Sequence, residues 1–346
     1  MRVTAVTCVK NEGPFLLEWI AYNRLIGVTD FLFYSNDCTD ATDRMLDRLQ
    51  DHGIVTHLPN PADPAKNRSL QMQALKAARR HPLVKGADWV WIADVDEFLN
   101  IHVGDHTIPA LIRACGDPQA ISVTFQFFAN GGVEHYEDSP VIGQFLHSHN
   151  PDVWGGHTAI EVKTLVRQDF PLKYFGAHRP FHDDDGMPRR DRPVWTDGSG
   201  RTVPRAFRRR VNKRRIRAFP AKGARDFATL NHYALRSLDS YLVKNDRGDV
   251  NREHRAFDDT YWRERNDAAL HDPSILRHMD ALRAEIDALK ALEGVAELHE
   301  QAVAAHRARL QALMEQESYR AMRRQLQNAS PYPPAEAALI AELGLA

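Results

Sequence analysis

Three cysteines, Cys8, Cys38 and Cys115, are all the sequence holds. An odd count without metal-ligand or redox spacing suits reduced, cytosolic thiols better than a disulfide framework. No apolar run approaches the roughly 18 residues that mark a bilayer-crossing helix. The apolar stretch from Val3 to Val9 is too short and too early for a signal peptide, and no cleavage region follows it. Net charge is lacking as well: 45 basic residues face 46 acidic ones, which rules out polyanion binding by bulk electrostatics. Neither a Gly-x-Gly-x-x-Gly turn nor a Walker loop follows any early strand, so two common phosphate cradles are missing. No internal repeat is present. The chain is expected to be cytoplasmic, reaching any membrane acceptor as a peripheral visitor to the inner face.

What is present is core. At 346 residues and 43% hydrophobic, the chain can bury two or three structural units. Its first third alternates strand-like and helix-like patterns. Residues 2–9 read as a buried strand, and Gly13-Pro14 opens an amphipathic helix that stops near Gly27. Strands are predicted over 31–34, 54–57 and 89–93, with helices over 40–51 and 66–80 between them. Such alternation implies a Rossmann-like α/β fold with a mostly parallel sheet flanked by helices. Ligands of such sheets bind beyond the carboxyl ends of the strands. Three regions follow: 1–118 as a nucleotide-binding half, 119–250 as a loop-rich acceptor-side half, and 251–346 as a helical extension with a break near Gly294.

The strongest local signal is Asp94-Val95-Asp96-Glu97, directly after the strand ending at Ala93. In an extended chain Asp94 and Asp96 leave on one side, and two such carboxylates repel unless a cation joins them. Mg²⁺ and Mn²⁺ prefer oxygen ligands and bridge carboxylate to phosphate. Asp-x-Asp is also common by chance as an acidic turn. The missing glycine loops tip the balance, because a diphosphate would then need a metal.

Several stretches resemble family-2-like glycosyltransferases of the GT-A fold, and are similar also to the family 92 group. They are Val9-Lys10-Asn11-Glu12, Leu17 to Asn23, Tyr34 to Thr42, Asp94 to Phe98, Phe128 to Gly132, and Asn231-His232-Tyr233 with Ser237, Tyr241, Lys244, Arg247 and Gly248. Ala129 stands where this pattern has glycine, and Arg236 where lysine is more usual. The resemblance covers about residues 3–250 and implies a GT-A-like core that transfers a sugar from a nucleotide-diphosphate donor, UDP-linked, to an unnamed glycan, lipid-linked or protein acceptor. It further implies that Glu12 and Asp37 accept hydrogen bonds from the nucleotide. Asp96 is the main metal ligand, with Asp94 at the ribose or the metal and His232 as a third ligand. Lys244 and Arg247 close over the phosphates. The ion is Mn²⁺ or Mg²⁺, and Mn²⁺ tolerates imidazole better. Each role has a plainer rival: Glu12, Asp37 and Asp40 as helix caps, and Lys244 with Arg247 as a solvated face.

An inverting transfer, which the resemblance favours, needs a base for the acceptor hydroxyl. Glu134 is the first candidate and Asp183 the second, among Asp138, His178, His182, Asp184 and Asp185. The His178–Asp185 run also suggests a hydrolytic metal site, although consecutive aspartates cannot all face one ion. Nine of residues 201–217 are Lys or Arg. A solvated strip is the default for this block, contact with anionic membrane comes second, and nucleic acid a distant third. The alternatives to a transferase are a metal-dependent phosphohydrolase or nucleotidyltransferase, and a non-catalytic basic scaffold.

Overall fold

The computed structural model describes residues 1–63, 65, 69–151, 161–182, 187–208, 223–248, 259–329 and 334–345. Strands β1 (Val3–Val9), β2 (Asp30–Ser35), β3 (Thr56–Pro59) and β4 (Trp89–Ile92) alternate with helices α1 (Gly13–Leu25), α2 (Thr42–Asp51) and α3 (Leu70–Ala78). β1 pairs in parallel with β2 and β4, and β2 with β3, which gives the expected βαβ half. All seven residues of β1 are buried, as its β-branched run on both faces requires of a strand covered on both sides. Helix α3 starts at Leu70, four residues later than expected, where the Ser69 hydroxyl accepts the Met72 amide.

The second half inserts antiparallel partners. β5 (Glu97–Ile101), α4 (Ile108–Ala114), β6 (Ala120–Phe127), β7 (Val162–Arg167), β8 (Trp195–Asp197) and β9 (Ala228–His232) follow in order. The sheet runs β3-β2-β1-β4-β7-β6-β9-β5, with β8 alongside β6. β7 lies antiparallel between β4 and β6, while β9 is parallel to β6 and antiparallel to β5. The sheet is therefore mixed, with parallel pairs in the majority. β5 itself was hidden in the sequence behind the acidic motif.

Helices α5 (Leu238–Arg247), α6 (Asp259–Arg263), α7 (Met279–Lys290), α8 (Val295–Met314), α9 (Glu317–Gln327) and α10 (Pro334–Glu342) complete the chain. Gly294, at φ +80°, makes the expected break. Helix α1 departs from the expected amphipathic pattern: every residue from Gly13 to Asn23 is buried. The reason is tertiary. The C-terminal helices pack on the face that α1 would otherwise show to water, and Leu282, Leu289, Val295 and Ala302 join its core cluster. Among the described residues no helix is long and apolar enough to cross a membrane.

Candidate active site

Strand β4 ends at Ile92, and a turn over Val95-Asp96 separates it from β5. The extended geometry that would align Asp94 with Asp96 is therefore lost, and the two carboxylates take different partners. Asp94 accepts Lys163 Nζ at 2.8 Å and Gln71 Nε2 at 3.2 Å. Asp96 accepts Lys244 Nζ at 2.8 Å and lies 3.4 Å from His232 Nε2.

The sheet brings His232 there. In the β9–β5 pairing His232 stands opposite Glu97, and the Tyr233 amide donates to the Asp96 carbonyl at 2.8 Å. The imidazole rests against Phe125 and Phe127, with ring centroids 5.0 and 5.4 Å away. Asp96, Glu97 and His232 each offer one donor atom, all within 4.8 Å of one another. Glu97 thus stands in the cluster where Asp94 was expected.

Electrostatics follow from burial and charge. Burial would raise the Asp96 carboxyl, but Lys244 and His232 outweigh it and hold the group well below the usual range. Burial, with Asp94 and Asp96 nearby, pushes Glu97 well above it, although Lys163 pulls the other way. Burial also depresses His232 against the pull of Asp96, which favours a neutral imidazole with a ligating lone pair.

Helix α5 brings Lys244 to Asp96 and Arg247 to Glu12. Arg247 Nη1 donates to a Glu12 carboxylate oxygen and to the carbonyls of Lys10 and Asn11 at 2.9 and 3.2 Å. The second Glu12 oxygen accepts Arg236 Nη1 at 3.0 Å, and that guanidinium stacks on Phe15. Burial raises Glu12, yet Arg247 and Arg236 prevail and keep it ionised. Both oxygens of Glu12 thus hold arginines. Asp40 accepts the first amides of α1 and α2, those of Gly13 and Thr42, at 3.1 and 3.0 Å, although the N-cap positions belong to Glu12 and Ala41. Asp37 is exposed at the rim of the same loop, at φ +47°. That loop is tied to Asn11, whose side chain exchanges hydrogen bonds with Thr39 at 3.0 and 2.7 Å.

The described base candidates have partners of their own. Glu134 accepts Gln327 Nε2 at 2.9 Å and faces Arg323 at 3.4 Å, so its carboxylate serves α9. Asp138 meets His299 Nε2 on α8 at 3.0 Å. His178 contacts the Val162 carbonyl and His182 is buried against Phe170 and Trp195. Asp183, Asp184, Asp185 and residues 209–217 of the basic block lie outside the described residues.

A family profile for glycosyltransferase family 92 matches residues 4–190. The chain belongs to glycosyltransferase family 92. It is 32% identical over 100 residues to a family 92 protein of Ricinus communis, covering 28% of this chain and 17% of that protein. It is 29% identical over 108 residues to one from Oryza sativa subsp. japonica, covering 31% and 17%. The matched segment is thus about a sixth of either plant protein. Among solved structures, S. aureus TarS residues 1–349 align at 10% identity over 85% of this chain and 73% of that one, with a TM-score of 0.32. The same TarS segment in complex with UDP gives 9%, 91%, 92% and 0.33.

The family 92 match takes in Glu12, Asp37, Asp94, Asp96 and Glu97 but ends before His232, Lys244 and Arg247. In this family 92 chain the second group reaches the first only through the β9–β5 pairing and helix α5. Sequence reasoning missed Lys163. Its one signal was a lysine inside the strand-like run Val162 to Val166.

Proposed function

We propose that this chain is a metal-dependent glycosyltransferase that takes a nucleotide-diphosphate sugar, UDP-linked, and transfers the sugar with inversion. The observation that carries the reading is the meeting of Asp96, Glu97 and His232 with Lys244 and Arg247, beyond the strand ends where such sheets bind nucleotides. Family membership supports the same chemistry.

The donor set fits a divalent ion. Two carboxylates and an imidazole suit Mn²⁺ better than Mg²⁺. Ligand atoms around such an ion stand about 3 Å apart when each lies at roughly 2.1 Å, and the Asp96–His232 spacing of 3.4 Å is close to that. A bound ion would supply positive charge to the diphosphate as the sugar departs.

The chain's own residues do the rest. Lys244 and Arg247 are cations held ready on Asp96 and Glu12, with donors that phosphate oxygens can share. Glu12 fixes Arg247 and Arg236 against the Lys10-Asn11 turn, so these charges are in place before the donor arrives. The rim carboxylate of Asp37 is open to nucleotide hydroxyls. Asp94, held by Lys163 and Gln71, is one-third exposed. Glu134 we assign to bracing α9, and Asp183 keeps the role of candidate base. The acceptor is a glycan, lipid-linked or protein hydroxyl, met in the cytoplasm.

The test is thermal unfolding with UDP in Mn²⁺ and in EDTA, for wild type and Asp96→Asn. Wild type should gain stability from UDP with Mn²⁺, by about 2.7 kcal/mol at a hundred times Kd, and the variant should lose most of that gain. An equal gain in EDTA ends the metal dependence. No gain with any nucleoside diphosphate ends the transferase reading.

A further inference from the structure

The acidic loop holds a cation of its own. Lys163 is only 1% exposed, yet its ammonium sits 2.8 Å from Asp94 Oδ2 and 3.3 Å from Glu97 Oε2. The fold explains how it arrives. β7 runs antiparallel to β4, with Leu165 opposite Trp91, so Lys163, two residues before Leu165, comes level with the loop beginning at Ala93. A fully buried lysine is stable only when paired, and here two carboxylates pair it.

Phosphate enzymes that work with two ions hold them about 3.5–4 Å apart between shared carboxylates. With Asp94, Asp96 and Glu97 in one short loop, this chain has the acids for such a pair. We infer that Lys163 stands in the place of the second ion, between Asp94 and Glu97, and restricts the loop to one divalent ion on the Asp96–Glu97–His232 side. Lys163 is thus a positioning residue. It fixes Asp94 together with Gln71 and directs the exchangeable cation to the His232 side. The inference rests on the metal reading above and deepens it: it disfavours two-ion hydrolysis or nucleotidyl transfer at the same acids.

The test is a titration of the full chain with Mn²⁺ alone, followed by electron paramagnetic resonance and calorimetry, for wild type and Lys163→Met. Wild type should take one ion. The variant, with two carboxylates released, should take a second, or bind the first at least about tenfold tighter. A lysine that merely filled space would leave binding unchanged when replaced by Met, so the direction of the change decides. The inference is overturned if wild type takes two ions, or if a folded Lys163→Met binds Mn²⁺ unchanged or more weakly. Should Lys163→Met not fold, Lys163→Gln takes its place, and the wild-type count alone still overturns the idea at two. If wild type binds no Mn²⁺ but binds UDP in EDTA, this inference fails and the donor reading stands. If it binds neither, both fail.

Discussion

Asp-x-Asp motifs invite a reading in which the first and last acids share one ion, but side chains follow the backbone they are on. Here a turn replaces the extended chain at Val95, so Asp94 goes to Lys163 and Glu97 joins Asp96. Glu18 shows the same dependence on context. It is buried in α1 and accepts the Val141 and Ile142 amides at 2.8 and 3.0 Å. Burial lifts its pKa to about 7, against those two hydrogen bonds. Because the folded value is raised, the native state binds more protons than the unfolded chain between roughly pH 4.5 and 7, and this group's contribution to stability, fully present below that window, is lost as pH rises through about 7. Wild type should therefore lose more melting temperature between pH 5 and pH 8 than Glu18→Gln does. Parallel curves for the two proteins contradict this.

At the scale of elements, α1 does more than cover the sheet. Trp19 Nε1 donates to the Glu97 carbonyl at 3.0 Å, and Tyr22 Oη, one turn on, to the Leu99 carbonyl at 3.0 Å. The two bonds fasten β5 at the point where it leaves the acidic loop. Trp19→Phe leaves a buried carbonyl unpaired and should cost about 1–3 kcal/mol in urea unfolding, with a weaker Mn²⁺ titration. A variant as stable as wild type shows that α1 does not hold the loop. Helix α5 is braced in its turn: Arg309 pairs with both Asp246 oxygens at 2.6 Å and Tyr319 reaches Asn245 at 3.2 Å. Periodicity made α1, α2 and the early strands legible. It missed β5, because a strand that opens on Glu97 carries no alternation to separate it from the motif.

For the whole molecule, the question is whether the C-terminal helices are an appendage. They are not, because Leu282, Leu289, Val295 and Ala302 lie in the same core cluster as Trp19 and Trp91. Helix α8 approaches α1 so closely that a Cβ on Gly13 would lie 2.5 Å from the Ala302 Cβ. Gly13→Ala should thus destabilise the protein by about 1–3 kcal/mol through overpacking, and adding Ala302→Gly should recover part of the loss. No loss in the single variant would mean that α8 is free to move away.

The sequence by itself determined the βαβ half, the glycine break at Gly294, and the residue types at the site, since hydrophobic period, turn chemistry and metal preference are local properties. Only the tertiary structure decided the partners. Strand register set His232 opposite Glu97, the antiparallel insertion of β7 delivered Lys163 to Asp94, and α9 drew Glu134 to itself. The physical reason is distance along the chain. Groups separated by tens to hundreds of residues meet only after the strands have paired, and no local pattern records which of them will.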